Sequence, residues 1–420
     1  MAGRASGEAA PRLAPPVLLV AFAFFVVMSG TTLPTPLYPA FQQRYGFSVL
    51  VITVIFGVYA VAVVGTLLLL GRLSDFVGRR RVLLPGVLLS AASAVLFLFA
   101  GGLGGVLAGR VLSGVSAALF TGTATAAIVD LLPESRRGTA TIIAVAANLG
   151  GLGGGQLLSG TVADHVTRPL EVPFAVDLGL CALALLALLL TPRDAPARRR
   201  PWRPTRFEVP AMVRPVFVPA AITGFCGFAV FGLFGAVVPG LLAHQLHIHS
   251  ATVTGAIVFV AFAAAALGQI ATRRLPAPLA LPLGCAALVA GVALVAVAVV
   301  TEALAPLVIA SPLTGLAQGF VIGAGLAGIN RLAPPEQRAE VASNYFVVLY
   351  VGLALPVMGV GLLSLPWGSR AASLVLAGGV AIAVVAVLLA LVRGGAAAGA
   401  AGAGMRASAA APGINAARRP

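Results

Sequence analysis

Between two long apolar runs stands Gly71-Arg72-Leu73-Ser74-Asp75-Phe76-Val77-Gly78-Arg79-Arg80-Arg81, an acid followed by a run of three arginines. Asp75 and Arg79 are four residues apart, so a carboxylate and a guanidinium can pair across one helical turn. Gly71 closes the preceding run and lets a second helix come close. Asp130, at the end of a later apolar run, is placed to join Arg79. A network of this kind, made in one conformation and broken in another, is a latch; the alternative is that the arginines only set topology. Two further charges lie inside apolar runs. Arg110 is well within one, where a charge costs several kcal/mol and marks function; the alternative is an arginine snorkelling to an interface. Asp177, a few residues into another, offers a carboxyl that carries a proton or else sits at the interface.

These groups need elements to hold them, and composition decides which solvent those elements face. Of 420 residues, 60% are hydrophobic and 9% charged, more apolar surface than a soluble domain of this size hides. The net charge of +15 does not point to nucleic acid, because the arginines cluster between apolar runs instead of lining one polar face. All 27 basic residues are arginine. Cys181, Cys226 and Cys285 sit inside apolar runs without metal-ligand spacing and read as small core residues.

Twelve runs reach the length of about 20 residues that a ~30 Å hydrocarbon layer requires. They cover 17–39, 49–70, 82–100, 103–130, 139–162, 172–191, 214–241, 251–271, 277–300, 303–329, 340–364 and 370–393. Continuous runs without strict alternation predict helices. The first follows Arg4 and Arg12 like a signal peptide, yet no small-residue cleavage site precedes Pro34, so it reads as the first span. With the N-terminus in the cytoplasm, 23 arginines fall in cytoplasmic loops and tails and three outside (Arg44, Arg168, Arg370), which places both termini inside. The expected organisation is an N-terminal six-helix bundle over 1–191, a cytoplasmic linker over 192–213, a C-terminal six-helix bundle over 214–393 and a disordered cytoplasmic tail over 394–420. Pro133-Glu134-Ser135-Arg136-Arg137-Gly138-Thr139-Ala140 matches Pro335-Glu336-Gln337-Arg338-Ala339-Glu340-Val341-Ala342 at an offset of 202, about half the chain. That match reads as an internal duplication, and duplicated halves usually enclose a binding site near the bilayer midplane.

Residues 71–81 resemble the cytoplasmic loop signature, motif A, of the major facilitator superfamily: Gly71, Asp75, Gly78 and then arginines. The span count, the central linker and the duplication extend the likeness over some 380 residues. The resemblance implies an all-α integral membrane fold of twelve transmembrane helices in two pseudo-symmetric six-helix bundles that rock about a central cavity. It also implies that Asp75 and Arg79 pair with Asp130. In the second half only Gly268 and Arg273-Arg274 remain of the motif, with no acid. Arg110 with Gly114 resembles motif B, associated with proton-linked transport. Gly150-Gly151-Leu152-Gly153-Gly154-Gly155 resembles the antiporter motif C without its characteristic Pro, and Asn148 and Gln156 flank it. In any setting such repeated small residues permit tight helix contact and bending.

The family's cavity is lined by spans one, four, seven and ten. Here that implies Ser29, Thr31, Thr32, Thr35 and Tyr38; Arg110, Ser113 and Thr121; Thr223, Phe228 and Phe231; and Thr314, Gln318 and Asn330. Phe225, Phe228, Phe231 and Phe234 recur every three residues, a stripe that reads as lipid contact or helix packing ahead of substrate stacking. No carboxylate lies in the middle of these four spans, where proton-coupled exporters of cationic drugs commonly carry one. His244, His247 and His249 share one loop with no Cys or acid nearby, so no metal site is expected.

The expectation is therefore a secondary transporter of the plasma (inner) membrane, working by alternating access and coupled to protons. It exports a small, partly apolar, drug-like compound; the alternative is a neutral or anionic metabolite such as a sugar or organic acid. Its partners are that small molecule, protons and the lipid bilayer, with no cofactor and no nucleic acid, and it acts as a monomer. From another class, a polytopic sensor or membrane enzyme has no catalytic constellation, soluble domain or ATP-binding motif to support it.

Overall fold

The computed structural model describes residues 15–192, 207–335 and 337–410. Every regular element among them is helical. Eleven helices are long and apolar enough to cross a membrane. The first half holds α1 (Pro15–Thr32), α2 (Tyr38–Tyr45), α3 (Val49–Leu70), α4 (Leu73–Val77), α5 (Arg79–Leu98), α6 (Leu103–Asp130), α7 (Arg137–His165) and α8 (Val172–Leu189). The second holds α9 (Arg214–Ala236), α10 (Val238–His244), α11 (Ala251–Ala271), α12 (Ala277–Thr301), α13 (Leu304–Leu332) and α14 (Arg338–Ala410). Within α14 the span Arg338–Arg393 is 56 residues long and broken at Gly368, whose φ of 76° belongs to the left-handed region that glycine tolerates. At 1.5 Å per residue it is far longer than one crossing, so it makes two, and the total is twelve.

The sequence dictates most of these boundaries. Ser48 starts α3 by accepting a hydrogen bond from the Val51 N–H (3.3 Å), and Ser250 starts α11 in the same way from Val253 (3.2 Å). Gly78, with φ of 101°, separates α4 from α5. The expected first span, 17–39, is split: Pro34 and Pro36 flank and enter a 3₁₀ turn over Thr35–Leu37, and proline lacks the N–H that would carry α1 onward. The expected linker loses residues 193–206, which lie outside the described ones. Helix continues past 393 to Ala410, where a disordered tail is expected; the run is rich in alanine, the strongest helix former. Residues 411–420 lie outside the described ones.

The helices pack as two bundles. α1, α3, α5, α6, α7 and α8 form the first, and α9 and α11 to α14 the second. Two pairs join them: α3 lies along the first part of α14, and α7 lies along α11. In span order these are the second with the eleventh and the fifth with the eighth. Exchanging the halves turns one pair into the other, as a duplication requires. The glycine run lets α7 serve both its own bundle and its partner. A Cβ on Gly151 or Gly155 would strike the α1 backbone at Phe25 or Ser29, while one on Gly153 or Gly160 would meet α11 at Phe259 and Phe262 or at Ala251.

Candidate functional site

At the face carrying the arginine-rich loops, the basic face, the expected network forms. Arg79 Nη1 donates to Asp75 Oδ1 (2.5 Å) and to Ser74 Oγ (2.7 Å), and Nε donates to Asp130 Oδ2 (3.3 Å). It ties α4 and the start of α5 to the end of α6, all within the first bundle. Two neighbours reach across instead. Arg72 stands 3.9 Å from Glu340 at the start of α14, and Ser343 occupies the space beside Gly71. The network therefore braces the loop that presents Gly71 and Arg72 to the second bundle. In the second half, Arg273 does the equivalent work without an acid, donating from Nη1 to the Gly138 carbonyl at the start of α7 (2.6 Å). Arg80 binds the Leu188 and Leu189 carbonyls (3.0 and 2.8 Å), satisfying the free end of α8.

The opposite face has its own fastening, which sequence reasoning missed. Asp164, at the end of α7, accepts from Ser250 Oγ (2.6 Å) and from the Ala251 and Thr252 N–H groups (2.9 Å each). A carboxylate thus caps the N-terminus of α11 from the other bundle, where the helix dipole favours negative charge. The only sequence signal was an acid ending one span opposite a serine opening another.

Between the two fastened faces lies a recessed cavity of about 110 Å³. From the first bundle come Thr31, Thr32 and Thr35, Phe56 and Tyr59, Arg110 and Thr121, and Asn148, Leu149, Leu152 and Gln156. From the second come Phe228, Phe231 and Gly235, Phe262, Ala265 and Gln269, Gln318 and Ile322, and Phe346, Tyr350 and Leu353. A larger space of about 590 Å³ between α9 and the two parts of α14 has almost wholly apolar walls. Its Val218, Ile222 and Val375 are exposed on the outside of the bundle, so it is a groove for lipid.

Arg110 is 1% exposed, the largest fully buried side chain among the described residues. Nη1 donates to the Thr31 carbonyl (2.7 Å) and Nε to the Ile55 carbonyl (3.4 Å). The guanidinium lies 4.8 Å from the Tyr59 ring centre and 5.7 Å from that of Phe56. Carbonyl dipoles and ring faces stabilise the cation, but no carboxylate pairs with it among the described residues. It does not snorkel: it is bonded inward, between α1 and α3.

Of the residues expected at the cavity, Ser29, Ser113, Thr223 and Thr314 are buried outside it, while Thr31, Thr32, Thr35, Arg110, Thr121, Phe228, Phe231 and Gln318 line it, joined by Asn148 and Gln156 from beside the glycine run. Tyr38 does not. The break after α1 moves it to a small pocket toward the opposite face with Gln42, His244 and Gln245, and its hydroxyl is unpartnered. Asn330 is exposed at the basic-face end of α13; it lies twelve residues beyond Gln318, about 18 Å along the helix and turned by about 120°. Gly114 is a packing point, where a Cβ would meet the Tyr59 carbonyl and Ala62. Asp177 is buried behind α1, facing Gly30 and Ser90 away from the cavity, with Oδ1 unpartnered. The phenylalanine stripe divides: a spacing of three drifts about 60° per step, so Phe228 and Phe231 face the cavity, Phe225 the lipid groove and Phe234 the core. Sequence reasoning did not reach Phe56, Tyr59, Phe262, Phe346 and Tyr350, since no local pattern separates a cavity aromatic from a lipid-facing one.

A multi-pass membrane protein of two joined bundles with a central cavity between them is the class this architecture defines. The model of the Major Facilitator Superfamily matches residues 20–355, and the chain belongs to that family of transporters, not to an enzyme family. It is 29% identical over 198 residues to the cephamycin export protein CmcT of Amycolatopsis lactamdurans, covering 47% of this chain and 40% of that one. It is 32% identical over 195 residues to the puromycin resistance protein pur8 of Streptomyces alboniger, covering 46% and 37%. The match thus spans well under half the length of these relatives. Among solved structures, it resembles a bacterial homolog of the human lysosomal transporter Spinster in an inward-facing, unoccupied conformation, with a TM-score of 0.64, 18% identity and coverage of 90% of this chain and 94% of that one. It also resembles a mutant form of the nucleoside transporter NupG, with a TM-score of 0.67, 14% identity and coverage of 90% and 98%. These two likenesses concern the fold.

Proposed function

We propose that the protein is a secondary transporter that exports a small, partly apolar compound in exchange for protons by alternating access. The observation that carries this reading is the central cavity shared by both bundles, with separate fastenings at the two faces. Releasing one set while keeping the other opens the cavity to one side only. The basic face lies in the cytoplasm of a plasma membrane, with both termini inside, and the protein works as a monomer. The names of the two relatives, an exporter and a resistance protein, support the outward direction. At about 110 Å³ the cavity is smaller than the 300–1,000 Å³ usual for a drug-sized site, so loading requires the bundles to part. Arg110 and Asp177 are the residues we assign to substrate binding or proton coupling, with Asp177 the one of the two that can gain and lose a proton.

The uncompensated Arg110 favours a second reading, transport of an anionic metabolite. Proteoliposomes with an imposed pH gradient test both, using lipophilic cations, neutral antibiotics, sugars and organic anions. Compound-dependent dissipation of the gradient is the expected result. If labelled compounds exchange across the membrane while the gradient stays intact, transport stands and proton coupling fails; neither effect with any compound overturns the reading.

A further inference from the structure

We propose that the compound this cavity takes is an amphipathic organic anion: an aromatic or apolar body, one anionic head, and hydrogen-bonding groups along its length. This rests on the reading that the cavity is the transport site, and it commits that reading to a charge class.

The charge balance of the wall comes first. Among the described residues, Arg110 is the single charged one lining the cavity, and arginine keeps its proton under all ordinary conditions. Its Nε and Nη1 are taken by carbonyls, which are dipoles and do not neutralise it. With no carboxylate bound to it among the described residues, the cavity wall carries one net positive charge on a side chain buried from solvent, where each electrostatic interaction strengthens. A cationic compound entering here meets a like charge. An anionic head supplies the missing counter-charge.

The second observation is independent of charge. Gln318 is 2% exposed and neither its Oε1 nor its Nε2 has a partner; Gln156 is 2% exposed and its Oε1 has none. Buried amide groups are nearly always hydrogen-bonded, and leaving one unpaired costs about 1–3 kcal/mol. Gln156 stands on α7 and Gln318 on α13, so the two open amides belong to different bundles. A molecule that bonds both spans the seam between the bundles and is held best when they are closed around it. The rest of the wall, with Phe228 and Phe231 on one side and Tyr59 on the other, suits an aromatic or apolar body.

Purified protein in detergent tests this with three fluorescent probes of one size: dansylglycine (anionic), dansylglycinamide (neutral) and dansylethylenediamine (cationic). Binding is read as enhanced, blue-shifted emission. The expected order is anion first, by at least tenfold over the neutral probe, with the cation weakest. Arg110→Gln should erase that preference. Since this variant also strips two backbone carbonyls of their donor, Gln318→Leu and Gln156→Leu are tested beside it. Each should weaken the anion about tenfold, the worth of one hydrogen bond of about 1.4 kcal/mol, while leaving the order of the probes intact. Equal binding of the three, preference for the cation, or binding of none by folded protein overturns the proposal. Its failure is distinct from failure of the transport reading: proteoliposomes that move neutral or cationic compounds leave transport standing and remove only the charge class.

Discussion

Arg79 and Arg110 belong to the same bundle and have the same side chain, yet their surroundings are opposite. Arg79 is about a quarter exposed and touches two carboxylates that are more exposed still. Arg110 is sealed from solvent and touches none. Exposed pairs of the first kind contribute about 0.2–1 kcal/mol each, so the network is a modest brace for the loop that carries it. A buried cation held by carbonyls and ring faces is a lasting feature of the wall, because withdrawing any of its partners leaves it poorly solvated. One site is a weak brace at the surface, and the other a charge sealed inside the bundle.

The largest effect should come from the buried site. Arg110→Met removes the cavity's charge and leaves the Thr31 and Ile55 carbonyls without their donor; transport should fall about 100-fold or more, since two such losses of about 1.4 kcal/mol each multiply to that factor. Wild-type transport by this variant would reduce Arg110 to a packing residue. At the exposed site, Asp75→Asn should slow turnover about tenfold or less, in line with one or two surface pairs, and leave ligand affinity within about twofold. A variant whose affinity falls as far as its turnover would show that the network shapes the cavity itself.

Asp164→Ala sharpens the contrast from the opposite face. Losing a charged cap with three hydrogen bonds costs about 1–2 kcal/mol. A cysteine introduced at Thr35 should then react several-fold faster with a membrane-impermeant reagent, and an unchanged labelling rate would mean that other contacts close this face. Salt should separate the two arginines directly. Between low and ~1 M ionic strength the Debye length shrinks to about 3 Å, so the turnover gap between wild type and Asp75→Asn should narrow while binding at Arg110 changes little. The smallest effect belongs to Arg273→Ala, which loses one exposed hydrogen bond to Gly138; turnover should drop by about two- to threefold, the equivalent of ~0.5 kcal/mol, and a tenfold drop would make the second half's loop the equal of the first.

That second loop shows what duplication preserved. Both halves reach from the end of one span to the start of a span in the other bundle, through Arg72 to Glu340 and through Arg273 to Gly138. Only the first half keeps the acids that brace its loop.

Much of this was determined by the sequence alone. Apolar runs of membrane length define twelve crossings, and they are helices because only helices and closed barrels satisfy the backbone in lipid and these runs lack the alternation of barrel strands. The fourfold spacing of Asp75 and Arg79 sets their pairing, and the glycines between 150 and 155 announce a close helix seam. What tertiary structure alone decided is direction. In a chain this apolar every face of a helix is hydrophobic, so no pattern says which phenylalanine meets lipid, core or cavity, or that Tyr38 and Asn330 turn away from the centre. Nor does it show that Asp164 caps a helix 87 residues further on, or that Gln156 and Gln318 confront one cavity from opposite bundles. Those facts depend on how two similar bundles meet, and contacts between them arise only when distant segments are packed together.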